Sequence, residues 1–301
     1  MKNVYLRSEH SIKSMSLKIL VFLTPLILAG FYKNGIKLYT NNLVGFYGLL
    51  KPILFIIIGF IIGCLVNIIY YKFKKNKDKL SEIIFSSFHP LYGVIIASVI
   101  SINTNILLFI IITFIILLIS KLMKEAKFNV MAFAALLIIL IINLTGDFTF
   151  LNIYESSRSL NLNTLDYLLG MGSGGVNTSN ILFLFISLIF LLKEDYYKKD
   201  IAIYSIIAFS ILIILYSIYS SEPGFILENI FSYGTLFSLI FIAPDPISSS
   251  YTKKGMIIFG FLVGIITFGL YLLEPSLAAL GAILIVSLLY KFIDLILVQK
   301  A

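Results

Sequence analysis

The stretch that decides the fold runs from residue 50 to residue 71 and reads LKPILFIIIGFIIGCLVNIIYY. After Lys51 it contains no charged side chain, and its only amide is Asn67. A helix needs about 20 predominantly apolar residues to cross the hydrocarbon core of a bilayer. The stretch therefore predicts a transmembrane helix.

Apolar runs of similar length recur along the whole chain, separated by short polar connections. The 301 residues are 59% hydrophobic and 13% charged, and the mean hydropathy is +1.02, which a soluble domain could not accommodate. This composition excludes a soluble enzyme. We predict an all-α polytopic membrane protein with about ten transmembrane helices. The predicted spans are 15–32, 50–71, 83–101, 105–122, 128–146, 178–192, 201–219, 229–243, 256–273 and 276–297.

Basic residues favour one side of this arrangement. If the N-terminus is cytoplasmic, nearly all of the 23 Lys and Arg residues fall on the cytoplasmic side. The exceptions are Lys33, Lys37, Lys51 and Arg158. Such an asymmetry follows the positive-inside rule, so we predict a multi-pass protein of the plasma (inner) membrane with both termini cytoplasmic. The net charge of +8 then reflects orientation and attraction to anionic lipid, and no nucleic-acid partner is predicted.

The predicted spans divide into two halves of five, at residues 1–146 and 178–301, joined by an outward-facing segment at 147–177. An odd number of crossings separates equivalent spans, so the two halves must be inverted repeats. The third span opens with His89-Pro90 and the eighth closes with Pro244-Asp-Pro246, where a plain anchor would be apolar. Broken helices in inverted repeats commonly place a binding site near the middle of the membrane. Each break alone is equally typical of a kink that neighbouring helices repair.

A glycine-rich loop at residues 170–180, with the sequence GMGSGGVNTSN, leads into the sixth predicted span. Amides at a helix N-terminus, approached through residues without a Cβ, favour binding of a phosphate or another anion. A flexible connection is the alternative, because the loop contains no strict nucleotide-binding motif. The candidate anion-binding residues are Gly172, Ser173, Gly174, Gly175, Asn177 and Thr178.

Metal ligands are scarce. The only cysteine is Cys64, and the only histidines are His10 and His89. This excludes a zinc, haem or iron–sulfur centre built by this chain alone, and we predict neither a metal site nor a particular catalytic residue. Asp245 has three possible roles, since it can bind a cation, pair with Lys253 or Lys254, or cap a turn.

Several stretches spread almost from end to end carry a family resemblance. They are Leu23-Thr-Pro-Leu26, Lys127-Phe-Asn-Val130, Leu165-Asp-Tyr-Leu-Leu-Gly170 and Ala243-Pro-Asp-Pro-Ile-Ser-Ser-Ser-Tyr-Thr-Lys-Lys-Gly255. Together they resemble the D subunit of the Rnf electron-transport complex and its relative, the B subunit of the sodium-pumping NADH:quinone oxidoreductase. The last stretch is the most specific, because it is similar to the family's Thr-Asp-Pro-Val-Thr-Ser-Pro segment.

The resemblance implies a flavin-dependent electron-transport subunit. Family members carry flavin mononucleotide (FMN) esterified to a threonine in a Ser-Gly-Ala-Thr-Pro-Leu type motif. They hold further flavin non-covalently and pass electrons across the membrane, coupled to sodium or proton movement. The equivalent stretch here, Tyr154-Glu-Ser-Ser-Arg-Ser-Leu160, has no threonine, so we predict FMN or riboflavin bound without a covalent link. The resemblance adds Ser157, Arg158, Ser159, Asn129 and Asp245 to the candidate cofactor-binding residues.

The implied partners are other membrane subunits and flavin or iron–sulfur subunits of an electron-transport complex, together with membrane lipid. Two further hypotheses stay open. Inverted halves with broken helices serve equally well in a transporter or channel for a small polar solute. A scaffold subunit that has lost flavin attachment is the third possibility.

Overall fold

The computed structural model describes residues 11–74, 80–123, 128–145, 164–220, 226 and 230–298. Within these ranges the regular structure is helical and contains no strand. The predicted all-α class is therefore confirmed. In chain order the helices are α1 (Ile12–Thr40), α2 (Phe46–Phe73), α3 (Leu80–Ile84), α4 (His89–Val99), α5 (Ile106–Leu122), α6 (Val130–Thr145), α7 (Thr164–Leu168), α8 (Ile181–Leu192), α9 (Lys199–Ser220), α10 (Thr235–Phe237, continued by the π-helical Ser238–Ile242), α11 (Lys253–Tyr271) and α12 (Pro275–Val298).

Five helices, namely α1, α2, α9, α11 and α12, are long and apolar enough to cross a membrane, and α4, α5, α6 and α8 are shorter apolar helices. Large apolar side chains stay exposed along them, for example Val21 at 64% and Ile57 at 48%. Water penalises such faces, whereas lipid tails accept them. The chain is a multi-pass membrane protein, as predicted.

Polar caps set the starts of several helices. Ser11 accepts a hydrogen bond from the Ser14 amide at the start of α1. Asn105, Asn180 and Thr252 do the same for α5, α8 and α11. Each cap satisfies an amide that has no partner within its helix and so fixes where the helix begins. These starts lie within a few residues of the predicted spans.

The third predicted span, 83–101, is wrong in its extent, because its main helix α4 covers only residues 89–99. Pro90 lies in the first turn, where its missing amide costs no hydrogen bond. The helix stops because Ile100 is extended, with φ −67° and ψ 159°. At 1.5 Å per residue α4 is about 16 Å long, roughly half of the hydrocarbon thickness.

The eighth predicted span, 229–243, is also wrong in its extent. Its helix α10 starts only after Gly234, whose φ of +70° suits glycine. The helix ends before Pro244, since a proline ring cannot continue a helix. Both short helices therefore end inside the protein and leave backbone groups there that other parts of the chain must satisfy.

Glycines allow the closest helix contacts. A Cβ on Gly59 of α2 would lie 2.3 Å from the carbonyl oxygen of Gly93 in α4, and one on Gly63 would lie 2.2 Å from a carbonyl in the first turn of α4. On α11 the same spacing, Gly260 and Gly264, faces α9. Small residues of this kind let helices pack tightly where lipid gives no hydrophobic drive.

The two ends of the bundle differ in chemistry. The N-terminus of α4 lies beside the C-terminal ends of α2, α5 and α12, which carry Lys74, Lys121 and Lys291; we call this the lysine end. The C-terminus of α4 meets the loop 170–180, and we call this the glycine-loop end. The membrane side that each end faces, and the division into inverted repeats, stay predictions.

Candidate functional site

The glycine-rich loop 170–180 is bonded to the end of α4. The amide of Val176 donates to the carbonyl oxygen of Ile100 over 2.9 Å, and the amide of Asn177 donates to that of Ser98 over 3.0 Å. These carbonyls belong to a helix terminus, where no intrahelical donor is left. The loop thus satisfies two carbonyl groups at the end of a helix that stops inside the protein.

Two glycines make this contact possible. A Cβ on Gly175 would lie 2.2 Å from the carbonyl oxygen of Val99, and one on Gly30 of α1 would lie 2.4 Å from that of Val176. Both neighbours are backbone atoms that cannot move aside. Any larger residue at these positions would force the loop away from α4 or from α1.

The first part of the loop, up to Gly175, contains four consecutive amides without an acceptor among the described residues. Within the described part of the chain, the amides of Gly172, Ser173, Gly174 and Gly175 donate no hydrogen bond. We call these four N–H groups the amide row. Amides that follow one another in this way, next to cationic side chains, stabilise an anion.

Two lysines and a tyrosine flank the amide row. The Lys33 ammonium donates to the carbonyl oxygen of Gly172 over 2.5 Å, and the Lys37 ammonium lies 2.9 Å from the sulfur of Met171. The Tyr167 ring lies beside Gly172, since a Cβ there would be 3.0 Å from Cδ1 of the ring. Positive charge and an aromatic face therefore adjoin the row.

Several buried oxygens near the loop have no hydrogen-bond partner among the described residues. They are Oδ1 of Asn177, Oγ1 of Thr178, Oγ of Ser232 and Oγ1 of Thr235. Thr178 Oγ1 lies against Gly234, where α10 begins. Buried hydroxyl and amide oxygens are normally satisfied, so each of these atoms is suited to contact with water or a ligand.

Asp245 forms a second polar centre, at the lysine end. Tyr92 of α4 donates its phenol O–H to Oδ1 of Asp245 over 2.6 Å, and Ser248 donates both its amide and its hydroxyl to Oδ2, over 2.9 and 2.6 Å. Asp245 therefore caps the turn, one of its three predicted roles, and also ties α4 to the segment after α10. Among the described residues it has no ion pair with Lys253 or Lys254. Cation binding by this carboxylate stays a prediction.

Asn129 supports the same region. Its Oδ1 accepts the amide of Ala132 over 2.9 Å, and its Nδ2 donates to the carbonyl oxygen of Ile242 over 2.9 Å. Its own amide donates to Ser287. Asn129 thus caps α6 and provides a hydrogen-bond donor for the last carbonyl group of α10.

Lys198 lies in the loop between α8 and α9. It contacts the unwound segment 243–252, which follows α10. Its ammonium donates to the carbonyl oxygens of Pro246 and Ser249 over 3.0 and 2.9 Å, and lies 4.0 Å from the centre of the Tyr251 ring. Burial lowers the pKa of Lys198 to about 8, although Asp245 and Asp294 oppose the shift. Burial prevails because neither carboxylate lies within ion-pair distance of this ammonium among the described residues.

A cavity of about 830 Å³ opens at the lysine end. Its walls come from α2, α4, α5, α12 and the segment after α10, and they include aromatic rings, lysines and carboxylates. The lining includes Tyr70, Tyr71, Lys74, Lys121, Asp245 and Asp294. We call this space the lysine cavity, and its volume lies within the usual range for small-molecule sites.

The structure divides the predicted site residues into two groups. Residues 172–178 lie together at the glycine-loop end, whereas Asp245 and Asn129 lie at the lysine end. Ser157, Arg158 and Ser159 lie outside the described residues.

The lysine cavity does not follow from the sequence patterns, in which its basic residues indicate only the orientation of the chain in the membrane. One local signal does exist. Aromatic residues stand close to a lysine in the C-terminal parts of two helices, in Tyr70-Tyr-Lys-Phe-Lys74 and in Tyr290-Lys291.

Comparisons with known proteins agree with the resemblance. A family model described as the NQR2, RnfD, RnfE family matches residues 1–301. The D subunit of an ion-translocating oxidoreductase complex from Haemophilus ducreyi is 33% identical over 81 residues, a match that covers 27% of this chain and 23% of that protein.

Proposed function

The chain belongs to the NQR2, RnfD, RnfE family, as the resemblance predicted, and on this premise we propose that it is a membrane subunit of an ion-translocating oxidoreductase complex. The protein from Haemophilus ducreyi carries that description, and its similarity to this chain extends over 81 residues. We propose further that this chain holds FMN or riboflavin without a covalent link. The observation that carries the flavin proposal is the amide row at 172–175 with Lys33 and Lys37 beside it.

The residues at the glycine-loop end fit an FMN. Its phosphate is a compact anion, for which adjacent backbone amides and lysines are suitable donors. Its ring system is flat and aromatic, and the Tyr167 ring lies next to Gly172. By contrast, the amides of Val176 and Asn177 already serve α4, so only the first half of the predicted anion-binding stretch is available.

When bound, a flavin supplies the capacity to accept electrons and pass them on. The residues of this chain would bind and orient it. Lys33 and Lys37 would hold positive charge next to the phosphate, and the buried loop 175–178 fixes the amide row against α4. The proposed partners are the other membrane subunits and the flavin or iron–sulfur subunits of such a complex.

Covalent attachment is a separate question. A phosphoester needs a side-chain hydroxyl and an enzyme that recognises its surroundings. Serines occur at 156, 157 and 159, but the flanking Gly-Ala and the proline of the family motif are missing. We therefore propose that the flavin is released by acid or denaturant.

The test is purification of the protein followed by denaturation. We expect flavin absorbance in the native sample, flavin in the supernatant after acid precipitation, and no fluorescent band after denaturing electrophoresis. Native protein without flavin, isolated together with its partner subunits, would contradict the flavin proposal and favour a scaffold. A fluorescent band that disappears in Ser157→Ala or Ser159→Ala would instead show a covalent link.

The proposed orientation places both termini and the loop around Lys75 in the cytoplasm, and 147–177 outside. Cysteines introduced as Lys75→Cys and Asn161→Cys, in a Cys64→Ala background, should react with an impermeant reagent from opposite sides of the membrane. Labelling from the same side would overturn this orientation.

A second candidate function is passage of a small cation or polar solute. It is favoured by the oxygens of Thr178, Ser232 and Thr235, which have no hydrogen-bond partner in the described part of the chain and lie where α10 begins. Flux into liposomes that contain only this chain, reduced by Thr178→Val, would support it. Absence of flux in liposomes with and without a redox partner would contradict it.

A further inference from the structure

The lysine cavity contains a pair of ammonium groups that the proposed function does not use. Lys74 ends α2 and Lys121 lies in the last turn of α5. Their Nζ atoms lie 4.7 and 5.2 Å from the centre of the same ring, that of Tyr70. Helices that are separate in sequence thus bring two like charges to one place.

No described carboxylate pairs with either lysine. Within the described residues, neither ammonium donates a hydrogen bond or forms an ion pair. Two carboxylates line the cavity, but other groups occupy them. Asp245 accepts from Tyr92 and Ser248, and Asp294 accepts from Ser250, Tyr251 and Thr252.

Two ammonium groups at one tyrosine ring repel each other, and an anion bound beside them would relieve that repulsion. Two like charges cost free energy when they are held close together. A phosphate offers several acceptor oxygens to more than one lysine at once. Basic pockets between transmembrane helices are typical binding places for phosphate head groups.

The surroundings of the pair suit such a ligand. The Tyr71 ring lies 5.4 Å from the Lys121 ammonium, so aromatic faces support both lysines. The cavity of about 830 Å³ is wide enough for a phosphate ester, and the apolar side chains of Ile247 and Leu295 also line it. These side chains offer contact to the apolar part of a ligand.

We propose that Lys74 and Lys121 form a binding site for a phosphate ester at the mouth of the lysine cavity. Two sources supply this chemistry, the head group of an anionic phospholipid and a soluble phosphate compound. The site is separate from the amide row and does not depend on flavin binding there.

The test compares two double variants of equal charge. Lys74→Gln with Lys121→Gln removes the pair. Lys72→Gln with Lys254→Gln removes two exposed lysines that do not line the cavity. Native mass spectrometry of delipidated protein, titrated with phosphatidylglycerol or phosphatidylcholine, reports the bound lipid, and calorimetric titration with inorganic phosphate or glycerol 3-phosphate reports a soluble ligand.

For a lipid, we expect phosphatidylglycerol to bind the unmodified protein and the control at least about tenfold more tightly than the cavity variant, as the loss of a charge-assisted contact implies. Phosphatidylcholine should show no such difference. For a soluble source, glycerol 3-phosphate should show the same loss and displace bound phosphatidylglycerol. The variant with Lys74→Arg and Lys121→Arg should retain binding, which separates charge recognition from damage to the fold. Equal binding of every anionic ligand by the cavity variant and the control would overturn the proposal.

Discussion

The two unwound segments of this protein are held in different ways. The loop 170–180 is fixed by backbone against backbone, because its amides bond to the end of α4 and Gly175 leaves no room for a side chain. The segment 243–252 is fixed by side chains that surround Asp245 and Asp294. A steric change should therefore damage the first segment, whereas loss of a charge or a hydroxyl should damage the second.

The largest effect is expected at Gly175. In Gly175→Val the new Cβ would meet the Val99 carbonyl at 2.2 Å, and in Gly175→Ala the clash is the same. We expect a loss of more than about 3 kcal/mol, seen as failure to recover folded protein. The matched control is Gly269→Ala in α11, where nothing lies within 4 Å of the new Cβ and the helix gains about 0.5–1 kcal/mol. Equal thermal unfolding of the two alanine variants in detergent would contradict the steric account.

The next effect is expected at Asp245. Asp245→Ala leaves the hydroxyls of Tyr92 and Ser248 buried without an acceptor, which should cost about 3 kcal/mol. Tyr92→Phe removes a single donor and should cost about 1 kcal/mol. Neither change should alter flavin retention, because the amide row lies at the other end. The measurements are thermal unfolding and the flavin content of the same samples. Flavin loss in a folded Asp245→Ala protein would contradict the independence of the two regions.

Lys198 should make the side-chain region sensitive to pH. Its pKa is about 8 in the folded protein, against an ordinary value of 10.5. The unfolded chain therefore binds more protons between these values, and this lysine makes the protein more stable as the pH rises from about 8 to about 10. We expect the melting temperature of the unmodified protein to rise over this range relative to that of Lys198→Gln. Lys199→Gln, an exposed neighbour, is the control, and a fall instead of a rise would show that the carboxylates outweigh burial.

The smallest effect is expected at the ion pair between Lys18 and Glu194, whose charged atoms lie 2.6 Å apart. The Lys18 side chain is 41% exposed, so water screens the attraction. Lys18→Gln should change the free energy of unfolding by less than about 1 kcal/mol. Chemical unfolding of Lys18→Gln, compared with that of Lys72→Gln, would show whether this contact between α1 and the loop before α9 contributes more than expected.

The sequence predicted what depends on local chemistry. The apolar runs gave α2, α9 and α12 within a few residues, since length and hydropathy suffice for a spanning helix. The extents of α4 and α10 were wrong because hydropathy continues past Val99 and begins before Gly234, while the break is set by backbone conformation and tertiary contacts.

The functional sites were harder to predict for a related reason. The glycines predicted an anion-binding loop. They did not predict that the amides of Val176 and Asn177 donate to carbonyls at the end of α4. Lys74 and Lys121 lie on different helices, and their meeting over Tyr70 depends on packing between distant parts of the chain. A single sequence shows the charges and not their separation.

The most direct test of the central claim is the affinity of flavin-free protein for FMN and for riboflavin, which lacks the phosphate. If the amide row with Lys33 and Lys37 holds the phosphate, FMN should bind at least about tenfold more tightly than riboflavin. The preference should disappear in the variant with Lys33→Gln and Lys37→Gln, and persist in the variant with Lys74→Gln and Lys121→Gln. Equal affinities in the unmodified protein, or a preference lost only in the cavity variant, would contradict the claim.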